Sequence, residues 1–203
     1  MRTALFGGAF NPIHIAHTRL AENAMHEFAI DRVVFMPTYK SPHKDTTKSV
    51  SYTDRLNMCR LASEDNSGFV VSELESKIKG KSYSYITLGM LKDNYPKDEL
   101  FLIVGADMYM SLLSWKNPEK IFSLSNIITC PRDEDDYSSL REYSAILEEY
   151  NCSSFIMKKP IMELSSTMVR DDFEGCYKRG LIDKKVYNYA VSHGLYGVNN
   201  NDF

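Results

Sequence analysis

The sequence predicts an α/β chain built on a doubly wound parallel sheet, and three observations carry that reading. Short apolar runs alternate with stretches of helical periodicity along the chain. Most of those runs are continuous rather than alternating apolar with polar, as strands covered on both faces require. Segments rich in glycine, proline and polar groups follow the first, second and fourth runs, and in open parallel sheets ligands bind beyond the carboxyl ends of the strands.

Taken in order, the runs at 3–6, 33–36, 69–71, 101–104, 127–129 and 154–157 are rich in β-branched or aromatic residues and read as strands. Helical spacing marks 17–28, where Leu20, Ala21, Ala24, Met25 and Phe28 share a face, and then 53–63, 84–94, 107–113, 118–124 and 138–150. Strand and helix in alternation imply right-handed crossovers and a parallel sheet. Ser165-Ser166-Thr167 precedes Met168, Val169, Asp171, Asp172 and Phe173 and reads as a helix start with a hydroxyl cap. A last helix, 183–192, ends before Gly194, a residue suited to the left-handed position after a helix. At 203 residues and 43% hydrophobic content, with no linker-like stretch, the chain is expected to be a single domain, 1–203.

The first strand runs into Gly7-Gly8-Ala9-Phe10-Asn11-Pro12-Ile13-His14-Ile15-Ala16-His17. Two glycines allow a sharp turn and close approach of a ligand to backbone N–H groups, and Pro12 takes the chain out of the strand. A helix follows, and the unpaired N–H groups and positive dipole of its first turn make an anion site. His14 and His17, three apart, fall on one face of a helix that begins by His14; as imidazolium groups they would donate to a triphosphate and offset the charge of departing pyrophosphate. Neither G-x-x-x-x-G-K-[ST] nor G-x-G-x-x-G is present, so a different class of nucleotide site is implied. Arg170 lies three residues after Thr167; read as a first-turn residue, it opposes the helix dipole and suggests an anionic ligand there.

The segment 7–17 resembles the G-G-T-F-D-P-x-H-x-G-H signature of bacterial nicotinate-nucleotide adenylyltransferases. Further similarity follows in order: Ser41-Pro42-His43-Lys44 resembles a P-P-H-K loop, Ser82-Tyr83-Ser84-Tyr85-Ile86-Thr87 an S-Y-T-x-x-T segment, and Ile103-Val104-Gly105-Ala106-Asp107 an I-G-A-D strand end. Trp115, Pro131-Arg132, the S-S-T-x-x-R run ending at Arg170 and Gly194-Leu195-Tyr196 complete the set. The resemblance implies a Rossmann-like nucleotidyltransferase fold whose C-terminal helical part, 165–198, carries the S-S-T-x-x-R motif. It implies adenylyl transfer from ATP to nicotinate mononucleotide in NAD biosynthesis, with Mg²⁺ held mainly by ATP phosphates and no metal site of the protein's own.

By that resemblance His14, His17 and Arg170 are catalytic. ATP is lined by these three with Gly7, Gly8, Ala9, Phe10, Gly105, Asp107, Ser165, Ser166 and Thr167. Lys44, Ser84, Thr87, Trp115, Lys116 and Arg132 form the acceptor side: Trp115 stacks on the pyridine ring, Arg132 meets the mononucleotide phosphate, and free N–H groups near Ser84 and Thr87 take the nicotinate carboxylate. Ala9, Asn11 and Ala16 depart mildly from the signature. Ser84 in place of Thr and Lys116 in place of Tyr adjoin the pyridine pocket and leave the choice between acid and amide mononucleotide open. Alternatives are an adenylyltransferase for nicotinamide mononucleotide or phosphopantetheine, a cytidylyltransferase, or a non-catalytic nucleotide-binding module.

A net charge of −3 argues against a nucleic-acid or anionic-membrane surface. Cys59, Cys130, Cys152 and Cys176 lack C-x-x-C spacing and are expected as reduced thiols. With no signal-peptide pattern and no long apolar span, a soluble cytoplasmic protein is expected, and a homo-oligomer is compatible with the sequence. Residues 38–52, polar and lysine-rich, read as a long loop of the kind that closes over ligands, while 133–136 and 199–203 read as solvated surface.

Overall fold

A computed structural model describes residues 1–40 and 50–198 of the chain. Six strands form one sheet: β1 (Arg2–Gly8), β2 (Arg32–Pro37), β3 (Phe69–Val71), β4 (Glu99–Gly105), β5 (Asn126–Cys130) and β6 (Ser154–Ile156). Their order is β3-β2-β1-β4-β5-β6, and every pairing is parallel. The order reverses direction between β1 and β4, which makes their carboxyl ends the switch point where a doubly wound sheet opens a crevice. Register brings Gly7 opposite Met36 and Phe6 opposite Ile103, so the ends of β1, β2 and β4 lie side by side.

Apolar residues on successive positions point to opposite faces, and each face buries its own core. Ala4, Phe6, Val33, Phe35, Phe101 and Ile103 pack under helices α1 (Ile15–Phe28), α2 (Tyr52–Ser63), α7 (Ser166–Asp171), α8 (Phe173–Lys178) and α9 (Lys184–Ser192). Leu5, Val34, Met36, Leu100, Leu102 and Val104 pack under α3 (Ser84–Asn94), α4 (Ala106–Tyr109), α5 (Pro118–Leu124) and α6 (Asp136–Glu148). This double burial is why the runs are continuously apolar.

All six expected strands are present, and two helices differ from expectation. The stretch 107–113 is not one helix: α4 stops at Tyr109 and a 3-10 turn follows at Leu112–Ser114. Ser111 and Ser114 hydroxyls donate back to the carbonyls of Met108 and Ser111, at 3.0 and 2.7 Å, which competes with a regular α ladder. The helix after Ser165 also breaks, at Asp172 (φ −143°), whose carboxylate accepts from the Gly175 N–H at 3.1 Å and caps α8. That break turns Phe173, 3% exposed, into the core. α9 closes as foreseen: Gly194 at φ 60° follows His193, with Gly194 N–H donating to Val191 O and Leu195 N–H to Ala190 O, a Schellman closure. All four cysteines are buried and free. Among the described residues no helix is long and apolar enough to cross a membrane.

Candidate active site

The site grows out of the turn after β1. Gly7 is exposed, and a Cβ placed on it would meet nothing within 4 Å, so a ligand can reach the backbone there. Phe10, at φ 45° and 2% exposed, plugs its ring among Phe6, Phe35 and His17, with centroids 5.5, 5.7 and 5.0 Å away. The chain passes through a cis Asn11–Pro12 bond and enters α1, for which His14 is the N-cap.

The spacing of His14 and His17 does bring them together: their rings stack at 3.7 Å. The His14 N–H donates to His17 Nδ1 at 3.2 Å, so that nitrogen is the acceptor and the ring keeps Nε2–H as its donor. His14 is 4% exposed, and among the described residues neither of its ring nitrogens has a hydrogen-bond partner. Burial lowers His14 to about 4 and also lowers His17, which the neighbouring His14 lowers further. The expectation of two imidazolium groups is therefore corrected for the free protein. The pair is neutral, because desolvation and mutual repulsion both oppose charge, and each neutral ring still offers one N–H.

Helix α7 docks directly on this turn. Ser165 is its N-cap, accepting from the Met168 N–H at 3.2 Å, and the Ser166 hydroxyl donates to Pro12 O at 2.9 Å. Arg170 donates to Asn11 O at 2.7 Å and to the Thr167 hydroxyl at 3.0 Å, and the Tyr196 hydroxyl donates to Asn11 Oδ1 at 2.8 Å. The dipole argument for Arg170 does not hold. With α7 only six residues long, Arg170 falls in its last turn, where a cation is favoured. What sets Arg170 apart is its fork spanning Asn11 and Thr167, which joins the two halves of the suspected ATP site.

On the other side of the switch point Gly105 ends β4 exposed and open. Asp107, in α4, forms an ion pair with Arg132, which follows β5. Ser84 opens α3. Thr87 is corrected: it is 1% exposed, its hydroxyl donates to Glu75 Oε1 at 2.9 Å and its N–H donates to Tyr83 O, so neither is free for a carboxylate. Trp115 is half-buried against the second core and donates from Nε1 to Ser111 Oγ at 3.2 Å; Lys116 is exposed. His43 and Lys44 lie outside the described residues. The residues of the turn and α7 thus touch one another, and Asp107 meets Arg132.

Two contributors escaped the sequence reading, and Tyr196, noted only as part of a terminal motif, gains a contact. Arg55 of α2, 4% exposed, donates to Ala9 O at 2.6 Å, Thr38 O at 2.8 Å and Val50 O at 3.3 Å. Glu75, 5% exposed, accepts from the Tyr39 N–H at 3.1 Å as well as from Thr87. Tyr196 holds Asn11. The one available signal was an arginine set beside Leu56, Met58 and Cys59 on the buried side of a helix; Glu75 sits in a mixed-charge stretch and gives none.

Residues 5–172 match the family model described as cytidylyltransferase-like. The probable nicotinate-nucleotide adenylyltransferases of Citrifermentans bemidjiense and of Geobacter sp. strain M21 are 38% and 40% identical to it, over 97% of this chain and 98% of each relative. The chain belongs to the nicotinate-nucleotide adenylyltransferase family. The resemblance read from the motifs is thereby borne out. A Plasmodium falciparum structure, titled as a nicotinic acid mononucleotide adenylyltransferase complexed with NaAD, aligns with a TM-score of 0.75 over 98% of both chains at 19% identity. A crystal structure of a Vibrio parahaemolyticus protein aligns with a TM-score of 0.67, with 19% identity, over 96% of this chain and 94% of that one. At such identities these two speak for the shared fold, which is the six-stranded doubly wound sheet described above.

Proposed function

We propose that this member of the family transfers the adenylyl group of ATP to nicotinate mononucleotide, yielding the deamido dinucleotide and pyrophosphate. A 5′-phosphate oxygen of the mononucleotide bonds to the α-phosphorus of ATP as the bond to the α,β-bridging oxygen breaks, and pyrophosphate leaves with the electron pair. The attacking group is already an anion, so no protein nucleophile is required. The chain's work is orientation of two nucleotides and stabilisation of charge on the transferring phosphorus and the leaving group.

The observation that carries this reading is the stacked His14–His17 pair at the start of α1, with both His14 nitrogens unpaired among the described residues, joined to the Arg170–Thr167 fork through Asn11. Unsatisfied buried polar groups cost stability unless a ligand uses them. Gly7, Gly8, Ala9 and Phe10 shape the turn that approaches the triphosphate; Ser165, Ser166 and Thr167 with Arg170 hold its far phosphates; Gly105 and Asp107 face the adenosine side. A neutral imidazole donates one N–H to a phosphate oxygen, and as anionic phosphates arrive they favour its protonation.

On the acceptor side, Trp115 offers a ring face to the pyridine, Ser84 a helix-start donor to the carboxylate, and Arg132 a guanidinium to the mononucleotide phosphate once it releases Asp107. Lys116 flanks that pocket, and Lys44 is the further cation assigned to the acceptor by the family resemblance. Among the described residues no group of three or more His, Cys, Asp or Glu side chains is arranged to hold a metal ion. Mg²⁺ in this reading travels on the ATP phosphates, where it neutralises charge. Residues 165–198 act as the helical part that closes the ATP side, and buried free thiols support a reducing, cytoplasmic setting.

The test is a His14→Ala/His17→Ala variant. It should bind nicotinate mononucleotide normally yet lose about 10²-fold or more in kcat, the usual cost of removing preorganised donors. Undiminished turnover would overturn the assignment.

A further inference from the structure

Two buried charged side chains grip the same short segment from opposite sides. Residues 38–40 leave the end of β2 between the glycine turn and the start of α3. The Thr38 N–H donates to Gly8 O at 2.8 Å, and Thr38 O accepts from Arg55 at 2.8 Å, while the other arm of the Arg55 fork holds Ala9 O at 2.6 Å. The next residue, Tyr39, gives its N–H to Glu75, whose second carboxylate oxygen takes the Thr87 hydroxyl of α3. Lys40 completes the link: its O accepts from the Ser82 N–H at 3.0 Å and its N–H donates to Ser82 Oγ at 3.4 Å.

An unbroken chain of hydrogen bonds therefore runs from Gly8 and Ala9, through residues 38–40, to Ser82 and Thr87. Among the described residues neither Arg55 nor Glu75 has a charged group in hydrogen-bonding contact; their direct partners are backbone and hydroxyl groups, and the attraction between the two charges offsets only part of the cost of burying them. A helix packing on an apolar core gains nothing from a guanidinium there, and a Leu or Met would cover the same surface without that cost. What the charges supply is directional, multi-point hold on backbone atoms that otherwise end a strand and face irregular chain.

We infer that Arg55 and Glu75 are positioning residues that fix residues 38–40 as a strut between the ATP turn and the acceptor helix, setting the spacing of the two nucleotides without touching either. This rests on the two-nucleotide reading above. Because Glu75 acts through Thr87 and Tyr39 on the acceptor side, and Arg55 through Ala9 on the ATP side, the two are expected to separate kinetically.

The experiment compares Glu75→Ala, Glu75→Gln, Arg55→Met and Arg55→Lys with the wild type. Kd and kcat are measured for each nucleotide separately, together with amide hydrogen exchange at residues 38–40 and 82–87. Glu75→Ala should raise the Kd for nicotinate mononucleotide about tenfold, the cost of one buried hydrogen bond, and leave that for ATP within about twofold. Glu75→Gln should restore most of the loss, since its carbonyl can accept from Tyr39 while its amide donates to Thr87, whose hydroxyl turns to Tyr83 O at 3.4 Å. Arg55→Met should weaken ATP more than the mononucleotide, with Lys recovering little because it lacks the fork. In both Ala and Met variants the amides of 39 and 40 should exchange about tenfold faster while those of β1 and β4 stay protected.

Equal losses for both nucleotides in every variant, no rescue by Gln, or unchanged exchange at 39 and 40 would overturn the inference. Should Glu75→Ala not fold, Ser82→Ala removes the hydroxyl that accepts from the Lys40 N–H, leaves the backbone bond to Lys40 O, and weakens the same link. If the wild type transfers nothing to nicotinate mononucleotide, the functional reading fails, and the exchange data still decide whether the strut exists.

Discussion

Acid titration of stability isolates the histidine pair. His14 falls from 6.5 to about 4 because folding buries it, so between those values the unfolded chain binds a proton that the native protein does not. Stability must then rise with pH across this window and fall as pH drops below 6.5; above it both states are neutral and the effect vanishes. For one group of this shift the loss is about 2 kcal/mol at pH 5 and about 3 kcal/mol by pH 4, at 1.36 kcal/mol per unit. His17 adds in the same direction, since it too is lowered by burial and by His14. Urea unfolding of the wild type and of His14→Ala at pH 7 and pH 5 reads this directly. The cavity left by the ring lowers the variant's stability at both pH values and cancels in the difference, as do carboxylates common to both proteins. The variant should lose about 2 kcal/mol less than the wild type between pH 7 and pH 5. Saturating ATP should flatten the wild-type slope, because triphosphate favours the protonated rings. Superimposable pH dependences for the two proteins would refute the claim that the pair is buried and neutral.

Other perturbations probe single links of the site. Arg170→Ala removes the contacts to Asn11 O and Thr167 and should raise KM for ATP about tenfold or more in steady-state assays, with Lys only partly restoring it. Gly7→Ala should melt within a few degrees of the wild type, since its Cβ meets nothing within 4 Å, but calorimetry should show weakened ATP binding because the methyl stands where phosphate approaches the backbone. Asp107→Ala breaks an exposed ion pair with Arg132 and should cost no more than about 1 kcal/mol in urea unfolding.

How far the sequence revealed this architecture differs by element. The strands were legible because a sheet buried on both faces favours uninterrupted apolar runs, and most of the six runs met that demand, the half-buried edge strand β6 least. The break at Asp172 and the end of α4 were hidden, since both depend on side chains bonding to nearby backbone: Asp172 to Gly175, Ser111 to Met108. At the site, three-residue spacing sufficed to pair His14 with His17, whereas their charge state follows from packing against Phe6 and Phe10 that no local pattern encodes. Thr87 sat in a recognisable motif, yet its hydroxyl turned inward to Glu75, a residue twelve positions earlier. Arg55 illustrates the limit most sharply. A buried cation is unexpected on composition alone, and only the folded chain brings Ala9, Thr38 and Val50 around it.

The most direct test of the central claim is pyrophosphate release by the purified protein with Mg-ATP and, in separate reactions, nicotinate mononucleotide, nicotinamide mononucleotide and phosphopantetheine. Release with nicotinate mononucleotide, abolished in the His14→Ala/His17→Ala variant, is the predicted result. Release with none of the three, or with phosphopantetheine alone, would contradict it.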